Sequence, residues 1–293
     1  MTPRRSSPGD PPELAPVTPE DIDACARVAD HAHAVLARTI GIGPEHSSWE
    51  FFRFAMTSRL ATPHSRGLLA RRGGAVVGSV FVTELPHAGI AGIGPLTVAP
   101  EHEGGVGRAL LEAAIRSCDG PREIRLTQSP VHPRSLALYV RCGFHLIAPL
   151  AVMAMPPSAE AFAGGAAVRA MTARDAGACN ELCAGRYGFD RPYEVQRAID
   201  RGTGRVVERG GAIAGYATAI GLGGHAIGQT TDDLLALIGA ERASEPRTLL
   251  APLANAALVG GLLEAGARIE WLANGMATAA RSITGPYLPS LLL

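Results

Sequence analysis

The sequence predicts an α+β chain made of two similar halves in tandem, each a mixed, partly antiparallel sheet flanked by helices. Three observations carry this. Arg72-Gly73-Gly74-Ala-Val-Val-Gly78 recurs as Arg209-Gly210-Gly211-Ala-Ile-Ala-Gly215. Thr18-Pro-Glu-Asp21-Ile-Asp-Ala24-Cys25 is echoed by Thr172-Ala-Arg-Asp175-Ala-Gly-Ala178-Cys179. The length, 293 residues with 47% hydrophobic side chains, suffices for two cores.

Each element follows in order. Residues 1–16, rich in Pro and Ser, read as a disordered tail. Thr18 caps a helix running to about Arg38, because its hydroxyl accepts from the first turn and Asp21 faces the helix dipole. A second helix spans Ser48 to Arg59; its Trp49, Phe51, Phe52 and Phe54 form either a substrate wall or one packed face. Strands follow at Gly67–Arg71, Ala75–Glu84 and Ile90–Val98, the first two joined by a Gly-Gly turn that suits a hairpin. Then come a helix over Gly104–Ser117, a strand over Glu123–Thr127, a helix over Pro133–Arg141 and a strand over Phe144–Met153. The first domain is therefore 17–155, the linker 156–166 and the second domain 167–293. The second half repeats helix Thr172–Ala184, strands Gly204–Val207, Ala212–Ile220 and Arg247–Leu250, helix Leu253–Glu264 and a strand near Arg268–Met276.

Composition narrows the function. All 27 basic residues are arginine, which excludes a phosphate-binding-loop lysine, a Schiff-base lysine and a pyridoxal-phosphate aldimine. Residues 1–155 carry 15 arginines against 14 acids and residues 156–293 carry 12 against 13, so nucleic acid is not an expected partner. Five cysteines without a C-x-x-C pair support neither a disulfide framework nor a metal site, and Cys179 and Cys183 read as packing residues. No apolar run reaches the ~20 residues of a membrane span, and a reduced, cytoplasmic setting is the expectation.

The chemistry gathers around Leu96-Thr-Val98-Ala-Pro-Glu-His102-Glu103-Gly104-Gly105-Val106-Gly107-Arg108-Ala109. A strand, a glycine loop and a helix make an anion cradle, since converging backbone N–H groups and the helix dipole favour negative charge there. A helix with Ser135-Leu-Ala-Leu-Tyr139 and a terminal Gly143-Phe144 lies about 35 residues on. With these two motifs the chain resembles the GNAT acyl-CoA N-acyltransferase superfamily, and the tandem layout is similar to members with a YitH-like second domain. The resemblance implies acetyl-CoA as acyl donor, no metal, and a small-molecule or peptide amine as acceptor. It implies that Leu96, Thr97 and Val98 bind the pantetheine arm and that backbone amides from Glu103 through Gly104, Gly105, Val106 and Gly107 to Arg108 hold the pyrophosphate. His102 and Ala109 flank that loop, and His132, where the family often has asparagine, and Ser135 open the second motif.

Acyl transfer to an amine needs an oxyanion donor, a proton acceptor and an acid for the thiolate. Backbone N–H groups near Leu96–Val98 suit the first role and Tyr139 the third. The strand from Ile90 to Leu96 holds no carboxylate, leaving Glu84, His87 or a water chain as acceptor. After Ile220 the second half shows no second phosphate loop, and it has Leu262 in the place of Tyr139, so it is expected to shape the acceptor site rather than react. His225 reads as a surface loop residue or one lining a cleft. A non-catalytic acyl-CoA or small-ligand sensor is the rival reading.

Overall fold

The computed structural model describes residues 11–40, 48–86, 88–102, 104–120, 123–156, 167–241, 247–279 and 285–291. They form two compact units, 1–126 with 131–144 and 127–130 with 145–291. The first unit contains β1 (Glu13–Pro16), α1 (Ile22–Ile40), α2 (Trp49–Leu60), β2 (Ser65–Arg72), β3 (Ala75–Leu85), β4 (Ile90–Val98), α3 (Val106–Ser117), β5 (Glu123–Gln128) and α4 (Pro133–Arg141). Its strands lie in the order β1-β2-β3-β4-β5. All neighbours are antiparallel except β4 and β5.

The expected tail is partly a strand. Glu13–Pro16 pairs with Leu68–Arg71 of β2, and Pro16 is tolerated because an edge strand needs no donor on its open side. Residues 1–10 of that tail lie outside the described residues. Helix α1 buries Ile22, Cys25, Ala26 and Ala29, a helical i, i+3, i+4, i+7 stripe, against Phe52 and Met56 of α2 and against Leu69 and Phe81 of the sheet. Of the aromatic cluster on α2, Phe52 packs inward while Phe51 and Phe54 stay exposed. Alternation along β3 turns Gly78 to the opposite face, where α3 docks. A Cβ there would come within 2.9 Å of the Thr97 carbonyl and 3.0 Å of Leu110, so only glycine lets α3 sit this close.

The second unit contains β6 (His145–Met155), β7 (Ala167–Ala170), α5 (Ala176–Tyr187), α6 (Pro192–Asp200), β8 (Arg205–Arg209), β9 (Ala212–Ala217), β10 (Ala226–Gly228), α7 (Thr231–Ala240), β11 (Arg247–Pro252), α8 (Ala256–Glu264), β12 (Arg268–Ala277) and β13 (Tyr287–Leu288). One sheet runs β13-β10-β9-β8-β7, and β6 lies between β12 and β11, antiparallel to both. The sequence reading closes the first domain at 155, whereas the units divide after Phe144. Hydrogen bonding explains the difference: His145–Ala154 pairs with β12 and Leu150–Met155 with β11. Ala151, Met153 and Met155 enter one core and Ala148, Leu150 and Val152 another, so the strand is apolar on both faces. Residues 157–166 of the expected linker lie outside the described residues.

The two units share local structure. Both hairpins turn on paired positive-φ glycines, Gly73 and Gly74 at 58° and 82°, and Gly210 and Gly211 at 60° and 80°. Both carry a bulge at the same place, before Arg71 and before Glu208. Both helix entries close a Thr-x-x-Asp box, and an arginine grips each aspartate: Arg71 on Asp21 at 2.6 Å, and Arg169 on Asp175 through two 2.8 Å bonds. His225, read as a surface or cleft residue, is instead buried, bonded through Nε2 to the Tyr216 hydroxyl at 2.8 Å. Cys179 and Cys183 are core packing.

The Arg169 bonds, with burial opposing and the Thr172 N–H assisting, hold the Asp175 carboxyl well below the usual carboxylate range. A depressed acid stabilises the fold above its unfolded pKa of ~3.9, and that contribution fades as pH falls through the folded value. Asp175→Asn should therefore lower stability at pH 7 and flatten its decline between about pH 5 and pH 2. Urea unfolding at several pH values checks this, and an unchanged acid dependence would remove Asp175 from the acid response.

Candidate active site

The site is built where β4 and β5 part. Their parallel pairing runs only from Ile90↔Glu123 to Gly92↔Arg125. Beyond it, the register of β4 with β3 shifts between Ile93 and Leu96. The stretch Ile93–Val98 is thus held by β3 on one side and has no strand pairing with β5 on the other. Thr97 lies opposite Ser79 on β3, and its hydroxyl is buried without a hydrogen-bond partner.

After β4 a 3-10 turn, Pro100–His102, leads to Gly104 and Gly105. Gly105 is the N-cap of α3 with φ at 85°, and a Cβ on either glycine would meet nothing within 4 Å. Among the described residues no side-chain hydrogen bond caps α3 and no acid lies in its first turn, so the positive end of its dipole is not offset there by a described carboxylate. Val106, Leu110, Leu111 and Ala114 anchor the helix to the sheet. A Cβ built on Gly107 would lie 3.6 Å from Val98, 3.7 Å from Leu138 and 3.9 Å from Leu96, so α3, β4 and α4 converge there. Arg108 and Ala109 continue the helix, with Arg108 turned to Glu112 at 2.8 Å and exposed.

Helix α4 opens on His132, whose Nδ1 accepts from the Ser135 N–H at 3.1 Å while the Ser135 hydroxyl donates to the His132 carbonyl. These two expected cofactor residues form the helix cap. Tyr139 is buried, edge-on to Phe144 at 6.0 Å, and burial pushes its hydroxyl up to about 12.

The structure does not bring every expected residue to this place. Glu84 sits opposite Ala91, at the far end of β4 from the glycine loop. Its carboxylate accepts from Arg66 at 2.8 Å and from the Asp119 N–H at 2.9 Å. Burial works to raise its pKa, but these bonds outweigh it and leave the group lowered. His87 and Glu103 lie outside the described residues. Sequence reasoning missed Arg72, whose guanidinium reaches across from β2 to donate to the Gly104 carbonyl at 3.1 Å. The contact spans 32 positions, and only the pairing of β2 with β3 could have revealed it.

The second unit has the same order of strand, helix, strand and helix without the cradle. Between β10 and α7 stand only Gln229 and Thr230, and Thr230 caps the helix. Its N–H and hydroxyl donate to Asp233 at 2.8 and 2.7 Å, and Arg209 binds the same carboxylate at 2.7 Å. With Asp232 beside it, this helix end already holds negative charge where an anion would bind. Leu262, four residues before Gly266 as Tyr139 is before Gly143, is a core residue.

A GCN5-related N-acetyltransferase from Sphaerobacter thermophilus superposes over 94% of this chain and 97% of its own, at 15% identity and a TM-score of 0.65. The fold is the GNAT fold. A Pyrococcus horikoshii protein assigned as an acetyltransferase shares it over 96% of this chain and 92% of that one, at 16% identity and a TM-score of 0.66. Residues 32–144 match the model of the acetyltransferase (GNAT) family, a span covering β4, the glycine loop, α3 and α4. No curated protein matches the chain. Among the described residues, no group of three or more His, Cys, Asp or Glu could hold a metal ion on this GNAT scaffold, and no helix is long and apolar enough to cross a membrane.

Proposed function

We propose that the chain is an N-acetyltransferase: the first unit binds acetyl-CoA and passes its acetyl group to an amine of a small molecule or a peptide. The open, uncapped amino end of α3 beside the parted strands β4 and β5 carries this reading. A pyrophosphate suits this place because, among the described residues, no side-chain oxygen caps the start of α3, and Arg72 sits against the same loop. The edge of Ile93–Val98 left open by β5 offers backbone donors and acceptors to the amides of a pantetheine arm, as an added strand would. Tyr139, kept protonated by burial, supplies the proton for the leaving thiolate. His132 and Ser135, bound to each other, set the start of the helix that carries it.

The shared hairpins, bulges and Thr-x-x-Asp boxes support a duplicated origin, with the second copy keeping the frame and losing the cradle. Calorimetric titration of the full chain should accordingly find one acetyl-CoA per chain, and a thiol-release assay with a panel of amines should show turnover. Two sites per chain would contradict the assignment to the first unit. Tight binding with no thiol release from any amine would favour a sensor on the same fold.

A further inference from the structure

Helix α1 packs on β3 and β4, and two long-range relations connect its His31–His33 turn to the ends of the cleft. His31 Nε2 donates to Glu101 Oε1 at 2.6 Å, tying this turn of α1 to the segment that follows β4. Two residues on, His33 has His132, the cap of α4 beyond the end of β5, as an electrostatic neighbour. This turn of α1 is thus tied to the segment after β4 and lies within electrostatic range of the start of α4. His33 also extends the Ile22, Ala26, Ala29 stripe that faces the sheet, and its ring lies 4.6 Å from that of Phe52. The fully buried part of the stripe ends at Ala29, and His33 is the next residue along it, its ring part-covered by Phe52.

We propose that His33 is the proton acceptor for the attacking amine. The hydrogen bonding fixes the tautomer this requires. His33 Nδ1 lies 2.9 Å from the Ala29 carbonyl, which can only accept, so Nδ1 carries the hydrogen and the Nε2 lone pair is available in the neutral ring. Among the described residues nothing pairs with Nε2.

Crowding by the surrounding chain lowers the ring's pKa, the Ala29 carbonyl and Asp30 oppose this, and His132 adds to it. Of the charged side chains on α2, Arg53 is turned to Asp23 at 2.8 Å, Arg59 is buried and donates to the Thr83 hydroxyl at 2.8 Å, and Glu50 lies at the helix start by Ser48. The strand β4 carries no titratable side chain. The ring is therefore neutral at neutral pH and able to take a proton.

The proposal rests on the acyl-transfer reading, and the step balances. The amine nitrogen bonds to the thioester carbonyl carbon and passes one proton to His33 Nε2. The carbon–sulfur bond breaks with its electron pair on sulfur, and Tyr139 gives the thiolate its proton. His33 then releases its proton to water and Tyr139 regains one from water.

His33→Gln and His33→Ala test it, measured as kcat against pH with acetyl-CoA binding followed by calorimetry. Both variants should bind acetyl-CoA as the parent does and lose roughly 10²–10⁴-fold in kcat. The acid limb of the parent profile, expected below pH ~6.5, should vanish, and added imidazole should restore part of the His33→Ala rate. Parent-like kcat in either variant overturns the proposal, and so does a fall in kcat with the acid limb intact and no imidazole rescue. A parent chain that releases no thiol with any amine overturns the acyl-transfer reading and this step with it.

Discussion

Gly105→Asp should abolish the thermal stabilisation that acetyl-CoA gives the protein. A ligand that binds only the native state at a hundredfold excess over Kd adds about 2.7 kcal/mol, which appears as a rise of several degrees in Tm. The open space around Gly105 and the helix start that no described side chain caps are what the ligand would use. An aspartate there repeats what Asp233 does at the start of α7, placing a carboxylate on the helix dipole in the position an anion needs. Gly105 also has φ at 85°, so any side chain adds backbone strain. Gly105→Asn separates the two effects, because asparagine matches aspartate in size and accepts positive φ without the charge. The expected order of Tm rise is parent, then Asn, then none for Asp. An aspartate variant that keeps the full rise would remove the glycine loop from the binding site.

Tyr139→Phe should leave folding and coenzyme affinity near those of the parent and cut kcat by roughly 10²–10⁴-fold. The substitution removes a hydroxyl and almost no volume, and the edge contact with Phe144 survives. With its hydroxyl pushed up to about 12, Tyr139 holds its proton across the neutral range, so no alkaline limb from this group is expected near its ordinary value of ~10. Burial that disfavours the phenolate also disfavours a bare thiolate beside it, which keeps the proton transfer useful despite the raised value. A phenylalanine variant with parent kcat would make Tyr139 a packing residue.

Local signals in the sequence were reliable guides. The Gly-Gly turns, the Thr-x-x-Asp helix entries, the strand Ile90–Val98 and the helix Pro133–Arg141 each appear where adjacent residues dictate them. The same Thr-x-x-Asp signal stands in Thr230-Thr-Asp-Asp233 at the start of α7. The candidate site was legible as two motifs but not as a constellation. Arg72 reaches Gly104, His31 reaches Glu101, and Glu84 is held by Arg66 and Asp119, all through pairings between distant segments. Burial of His225 was equally hidden, because its partners, Tyr216 and Thr218, meet it only once β9 and the loop before β10 align. The placement of β6 was the largest departure, since sequence proximity attached it to the half that precedes it.

That placement limits how the protein can be divided. A fragment of residues 1–155 would carry His145–Met155 with neither β11 nor β12 to receive it. It would leave an apolar ribbon with two bare edges, the kind of surface that drives strand-to-strand aggregation. The complementary fragment would have a gap between β11 and β12 the width of one strand. Supplied together, the two pieces have a reason to find each other: the last strand of one is the missing slat of the other. The halves of this chain can therefore be complemented, and a lost half could be replaced only by one that brings or accepts that strand.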